Sequence, residues 1–491
     1  MTNVLSSDNL LIFERIETAL TEVVEHEAVI KDILLDLGNI VKKAGESKSY
    51  RHELASHNDI WDIIAESVAR SFNVTYTEPL LTWYIRVFRG VLLLARNCTP
   101  EKALGPSLIL HSLRIFDESV SREHDFYDKT VVVYFELLAN ISQVLDYKRD
   151  VNELASIIFD SGSNALNTGP LIIRLTEIDE LVFPFLVFLE SFLDSEVIGD
   201  ILTSERCFDI VGILFERFQL LNIESISGPD RILIRILQKI ICHESFQKYV
   251  NKIGHGSKTF RKILKSCQLI VTSKEDWDNY EIVALLTWIY DLFKEFSVKA
   301  EALLLGTSFD VIEISNNHAV VLALLDCLSH LGKYHAGKQY LTHYDAIPFL
   351  TRLLGVVHKS IERKTLKKTP PNDMSLEKPQ EKKLYPEVKS IIIEILAYLA
   401  HDSFENQEKI RKNHGLELVL SNCSIDDNEP FIKERAIVCL KFLLANNTKN
   451  QELVASLEAK GVFDQETIKD MGYEAEIVDG KVKLKEAREQ N

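Results

Sequence analysis

The chain has 491 residues, 46% hydrophobic and 26% charged, with a formal net charge of -17. That length and apolar content allow a large core, and the acidity opposes phosphate backbones and anionic lipid surfaces, which excludes nucleic acid and membrane as primary partners. Gly (19) and Pro (12) are scarce while Leu, Ile, Glu and Lys abound, a composition that favours helix over sheet.

The N-terminal residues Met1-Thr-Asn-Val-Leu-Ser-Ser-Asp8 lack a basic segment followed by an apolar one, so no secretory signal is expected. Two Leu-Leu-Ala triplets, at Leu93 and Leu137, stand 44 residues apart, each followed closely by Asn (Asn97, Asn140). The small-residue stretch Ser161–Pro170 has turn chemistry and reads as a hinge between helical repeats over 1–160 and further repeats over 170–360. The longest apolar stretches, Leu181–Leu189 and Ile282–Tyr290, span nine residues each, about half of what a membrane helix needs. The seven cysteines include no C-x-x-C pair, which suits buried thiols in a reducing compartment.

Candidate chemistry along this stretch is thin. Cys242-His243 has no second pair at zinc spacing. In Gly254-His-Gly-Ser-Lys-Thr259 the Lys does not follow the second Gly directly, and Asn251 stands where the first Gly of a phosphate loop belongs. His401-Asp402 and His414 lack a Ser or Cys elbow. The residues predict no catalytic site, no metal site and no cofactor.

The C-terminal third carries the strongest signal. Ile395-Leu-Ala-Tyr-Leu-Ala-His-Asp-Ser-Phe-Glu-Asn-Gln-Glu-Lys-Ile410 aligns without a gap on Cys439-Leu-Lys-Phe-Leu-Leu-Ala-Asn-Asn-Thr-Lys-Asn-Gln-Glu-Leu-Val454, 44 residues later, with Asn406/Asn450, Gln407/Gln451 and Glu408/Glu452 identical. A helical pattern with a period of about 40–47 residues is the mark of armadillo and HEAT arrays. Such arrays present surfaces to partner proteins. The fold class predicted is therefore all-α, an armadillo/HEAT-like helical repeat solenoid. A looser copy, Leu325-Asp-Cys-Leu-Ser-His-Leu331 through Leu350, lies 70 residues upstream of Ile395 rather than 44. Residues 361–386 account for the excess: four prolines and seven Lys/Arg against four Asp/Glu without a sustained apolar face, a disordered basic loop inserted in one repeat.

A helix is expected from Val388, on the stripe Val388, Ile391, Ile392, Ile395, Leu396, Leu399. Another is expected from Pro430, with Asp426, Asp427 and Asn428 offering caps and Pro430 in the first turn. Asn406 and Asn450, each just before or at a helix start, read first as caps of free amides. An asparagine ladder for extended peptide is the alternative. Beyond them, Ala475-Glu-Ile-Val-Asp-Gly-Lys-Val-Lys-Leu484 alternates about Asp479-Gly480, a small β-hairpin-like tail.

Between the two phrases, Asn422-Cys-Ser-Ile-Asp-Asp-Asn-Glu-Pro-Phe-Ile-Lys-Glu-Arg-Ala-Ile437 resembles the C-terminal domain of the ataxin-10 family, as do Leu440-Lys-Phe-Leu-Leu444, Asn447, Asn450-Gln451 and the closing Gly472-Tyr-Glu-Ala-Glu-Ile-Val-Asp-Gly-Lys-Val-Lys-Leu484. The residues matching the family motif are Asn406, Gln407, Asn428, Pro430, Phe431, Asn450 and Gln451, in a domain over 387–485. Arg435 stands where the family usually carries Trp, which puts a contact made by that ring in question. The resemblance implies a non-enzymatic, cytoplasmic, armadillo-like scaffold or adaptor that binds proteins, is linked to cytokinesis and self-associates through its C-terminal domain. Regulation through the 361–386 loop is one alternative. Another is metal handling, since one fungal member bears a copper-transport name. Copper handling needs clustered soft ligands, and the methionines here are only Met1, Met374 and Met471.

Overall fold

A computed structural model describes residues 7–21, 27–71, 80–99, 127–142, 175–205, 209–222, 224–306, 310–360, 385–424, 426, 429, 431–457, 473–478 and 481–486. Contacts divide the chain into two units, Met1–Ile270 and Val271–Asn491. Residues 143–174 and 361–384, where the sequence places a hinge and a basic loop, lie outside the described set, apart from Tyr385 and Pro386 at the loop's end.

The first unit holds helices α1 (Ser7–Thr21), α2 (Glu27–Glu46), α3 (Lys48–Ala55), α4 (Asn58–Ser71), α5 (Leu80–Cys98), α6 (Tyr127–Ile141), α7 (Asp179–Phe192), α8 (Ser195–Thr203), α9 (Ile210–Gln219), α10 (Gly228–Ile241) and α11 (Phe246–Ile253). Helix α12 (Lys258–Ser273) runs across the division. The long helices pack in a row, α2 on α5, α5 on α6, α6 on α7 and α7 on α10. This is repeat packing, in which each long helix meets the next long helix of the array. The two Leu-Leu-Ala triplets sit on α5 and α6. Their asparagines tie each helix to an earlier one: Asn97 Nδ2 donates to Val41 O at 3.4 Å and Asn140 Nδ2 to Arg96 O at 3.1 Å. Arg96 also pairs with Glu136 across the same junction.

The second unit contains α13 (Asn279–Leu305), α14 (Val311–Gly332), α15 (His335–His343), α16 (Ala346–Ser360), α17 (Val388–Ala400), α18 (Phe404–Lys412), α19 (Gly415–Ser421), α20 (Ile432–Leu444) and α21 (Thr448–Ser456). A long, a short and a third helix recur as α14–α15–α16 and α17–α18–α19, and α20–α21 begin the next copy. This is an armadillo-like three-helix repeat. The long helices stack α13 on α14, α14 on α17 and α17 on α20. Their facing stripes are sealed: Leu324, Leu328, Ile392, Leu396, Ala436 and Leu443 are all buried. Strands β1 (Tyr473–Val478) and β2 (Lys481–Glu486) pair antiparallel with Val478 opposite Lys481, while Asp479 and Gly480 lie outside the described residues.

Two sequence expectations change. Helix α20 starts at Ile432 behind Phe431, which makes no side-chain cap bond, while Asp427, Asn428 and Pro430 lie outside the described residues. Helix α14 is long and apolar enough to cross a bilayer by length and composition, which a count of short apolar stretches overlooks. In this fold it packs against α13 and α17 and buries Asn317, and half of its most apolar window is inside the protein.

Candidate functional site

The repeated phrase occupies the junction between the long and short helices of each repeat. Asp402 and Asn446, 44 residues apart, turn the chain with positive φ of 56° and 53°, a conformation that Asp and Asn tolerate better than most side chains. The next residues, Ser403 and Asn447, are the N-caps of α18 and α21, accepting from Asn406 N at 3.4 Å and Asn450 N at 3.1 Å. The asparagines of the phrase are therefore not the N-caps that their chemistry suggests. They sit three residues further on and cap the other helix: Asn406 Nδ2 donates to Leu399 O at 2.9 Å and Asn450 Nδ2 to Leu443 O at 2.7 Å. These carbonyls end the preceding long helix and would otherwise be buried without partners.

The glutamines extend the pattern. Gln407 Nε2 donates to Ala400 O and, across to the next repeat, to Phe442 O at 2.9 Å and Ala445 O at 3.3 Å. Asn447 Nδ2 returns the contact to Gln407 Oε1 at 3.2 Å and Glu408 Oε1 at 3.3 Å. In the other direction Asn406 Nδ2 reaches Thr342 Oγ1 at 2.9 Å on α15. A buried ladder of amides thus runs through three consecutive repeats. With Asn406 and Asn450 only 3% and 0% exposed and their side-chain amides turned onto helix-end carbonyls, neither is placed to hold an extended peptide. Asn450→Ala is expected to cost about 1–3 kcal/mol, because the buried Leu443 carbonyl loses its donor. Urea unfolding of the variant beside Gln451→Ala checks this, since the more exposed Gln451 rung should matter less.

A second cluster joins the same repeats. Lys389, in the first turn of α17, meets Asp426 at 2.9 Å with both side chains buried, 1% and 3% exposed. Glu429 lies beside them, buried, and neither carboxylate oxygen has a hydrogen-bond partner among the described residues. Burial pushes its carboxyl above the usual glutamate range, against the pull of nearby Ser390 and Lys389. Sequence reasoning missed all three roles. Lys389 follows Val388 and reads as solvated, and its partner is 37 residues away.

The outer surface of the second unit offers two further features. An open groove of about 1260 Å³ runs along α15 and the α17–α18 junction, lined among others by His335, Lys338, Tyr340, Tyr344, His401 and Lys409. Its charges are mixed, and Lys409 is already paired with Glu405 and Asp345. On the long-helix row, Glu394 accepts from Tyr398 Oη at 2.7 Å and pairs with Arg435 at 3.1 Å, so the arginine at the family's tryptophan position forms an inter-repeat ion pair. Phe431 is 70% exposed nearby in sequence.

Catalytic arrangements are not assembled among the described residues. His243 Nδ1 accepts from Ser245 N at 3.1 Å, so Nε2 carries the proton and donates to Ser195 Oγ at 3.2 Å. That tautomer cannot take a proton from the serine. Cys98 is pushed up to about 12 and Cys439 higher still by burial, which keeps both as thiols, poor nucleophiles and poor ligands. No cluster of three or more His, Cys, Asp or Glu fit for a metal occurs among the described residues.

Comparison with known proteins places these features. A family model described as the Spinocerebellar ataxia type 10 protein domain matches residues 388–485, the segment holding the ladder and the buried cluster. An "Ataxin-10 homolog" of Debaryomyces hansenii is 45% identical over 92% of this chain and 91% of its own length. That of Candida albicans is 33% identical over 86% and 89%. The "Ataxin-10" of Xenopus tropicalis matches over only 20% of this chain and 21% of its own, at 44% identity. Among solved structures, a designed armadillo repeat protein aligns over 56% of this chain and 99% of its own with 13% identity and a TM-score of 0.27.

Proposed function

The chain belongs to the ataxin-10 family, and on that footing we propose that it is a non-enzymatic scaffold that binds other proteins in the cytoplasm and assists cytokinesis. The observation that carries the reading is how the repeated phrase is used. The amides of Asn406, Gln407 and Asn447 are used in joining repeats, while the outward side of α20 and the residue before it keep exposed apolar side chains, Phe431, Ile437 and Val438, beside the half-buried Glu394–Arg435 pair. A rigid stack with varied outer faces suits recognition more than turnover.

Self-association through the C-terminal domain is part of this reading. Light scattering of the intact chain and of a chain lacking residues 385–491 tests it. The intact chain is expected to exceed the monomer mass and the shortened one to match it. Equal degrees of association would remove this part of the proposal. Regulation through the basic 361–386 segment is the second reading, favoured by its seven Lys/Arg in a chain of net charge -17. Deleting it should then abolish a partner's retention while leaving the melting temperature nearly unchanged.

A further inference from the structure

The chain carries 73 Asp and Glu against 56 Lys and Arg. Residues 245–273 nevertheless hold no acid and six cations: Lys248, Lys252, Lys258, Arg261, Lys262 and Lys265. At the chain's average frequency a stretch of that length would hold about four acids. These residues build α11, the connection 254–257 and α12. Helix α12 buries Phe260, Ile263, Leu264, Cys267 and Ile270. Its other side presents Lys258, Lys262 and Lys265, all exposed, and then Leu269, 39% exposed. Steps of four, three and four residues place these four side chains in one row along the helix.

Cations elsewhere are paired across the helix array: Arg96 with Glu136, Arg235 with Glu190, Lys274 with Glu281. No ion pair to any of the six occurs among the described residues. Three of them bond neutral groups instead, Lys252 Nζ to Ser204 O at 3.3 Å, Arg261 Nη1 to Gly256 O at 3.1 Å and Lys265 Nζ to Gln268 Oε1 at 2.8 Å. Asp209 reaches α11, but it accepts from Tyr249 Oη at 2.9 Å and Gly212 N at 2.8 Å. Stability does not explain the arrangement. Lys258 and Lys262 repel each other at i, i+4. Cations near the start of a helix also oppose its dipole, and the first turn of α12 has no acid to offset them.

We propose that this row on α12 is a docking site for an acidic, extended segment of a partner protein. Along the helix axis the three lysines stand about 6 and 4.5 Å apart, with Leu269 about 6 Å beyond. Alternate side chains of an extended chain repeat at about 6.6 Å. A segment with carboxylates at alternate positions, followed by an apolar residue, matches the row in charge and spacing. A nucleic-acid duplex or an anionic bilayer extends well past it and meets the rest of a chain of net charge -17. A short segment keeps its charge within the Debye length of the lysines, about 8 Å. The proposal rests on the protein-binding reading and deepens it, at a face of the first unit that removal of residues 385–491 leaves in place.

The probe is a fluorescein-labelled peptide of alternating glutamate and serine ending in leucine, titrated by anisotropy into the intact chain. Saturable binding is expected, weakening as salt is raised. Lys262→Glu combined with Lys265→Glu should weaken it about tenfold or more. Both side chains are exposed, and the first change relieves the repulsion from Lys258, so the melting temperature should not fall. Lys441→Glu combined with Lys449→Glu makes the same change in net charge at exposed positions of α20 and α21. That pair should leave binding within about twofold, since distant charges are screened. Absence of binding, binding unaffected by the α12 pair, or equal weakening by both pairs overturns the proposal. So does tighter binding of a DNA duplex or of phosphatidylserine vesicles than of the peptide, which would assign the row to a phosphate backbone or a lipid surface. The truncation experiment addresses the C-terminal repeats alone, so the two readings fail separately.

Discussion

Replacing Lys389 with methionine is expected to cost about 3–5 kcal/mol of unfolding free energy near neutral pH. The substitution keeps the length and apolar stem of the side chain and removes only its charge. Asp426, 3% exposed, then loses the ammonium 2.9 Å away, and Glu429 loses the nearby positive charge that helps it stay ionised. Stability of typical domains is about 5–15 kcal/mol, so this loss approaches the whole. Its pH dependence identifies the cause. Carboxyls stranded by the substitution bind protons more tightly folded than unfolded, and a group of that kind adds stability at low pH that is lost as pH rises. The variant should therefore recover part of its deficit as pH falls through the carboxyl range. Glu429 obeys the same sign in the unaltered protein, since its folded pKa is raised by burial. Glu429→Gln should accordingly raise the melting temperature near neutral pH, with the gain shrinking on acidification. A deficit in Lys389→Met that is constant with pH would instead indicate lost packing rather than a lost charge.

Gly337→Ala is expected to cost roughly 3 kcal/mol or more. Gly337 holds the third position of α15, the place that Asn406 holds in α18 and Asn450 in α21. The junction before it is one residue shorter: α14 ends at Gly332 and the N-cap is Tyr334, whereas α17 ends at Ala400 and the N-cap is Ser403. With less chain to turn in, the short helix approaches the end of the long one directly. A Cβ on Gly337 would lie 2.0 Å from Leu331 O and 2.8 Å from Leu331 C, backbone atoms that cannot swing aside. Two solutions to one packing problem thus occur in neighbouring repeats, a capping amide across a longer turn and a bare backbone across a shorter one. Gly38→Ala is the control. It lies inside α2 with nothing within 4 Å of the added methyl, and it should gain about 0.5–1 kcal/mol. Thermal unfolding of the two variants side by side measures the contrast.

The architecture was legible because periodicity is written in side chains that the core must bury. The step from Leu396 to Leu440 is the step from one long helix to the next, and the asparagines at 97 and 140 mark the same joints in the first unit. Finer roles were less legible, for physical reasons. Asn406 has the chemistry of an N-cap, and only the turn geometry at Asp402 decides that Ser403 takes that role while Asn406 serves the helix behind it. The recurrence of Ser403 and Asn447, both cap-forming residues three places before the Asn, was the available signal. Lys389 carried none, because the acids that neutralise it come from another repeat. Gly337 likewise shows its purpose only beside Leu331 O.

On the function proposed above, the intact chain holds proteins on the outer faces of its C-terminal repeats. Affinity purification of the intact chain from dividing cells, compared with a chain lacking residues 385–491 at equal expression, tests it most directly. At least one protein is expected in near-stoichiometric amount with the intact chain and absent with the shortened one. Equal recovery of the same proteins by both chains would contradict it.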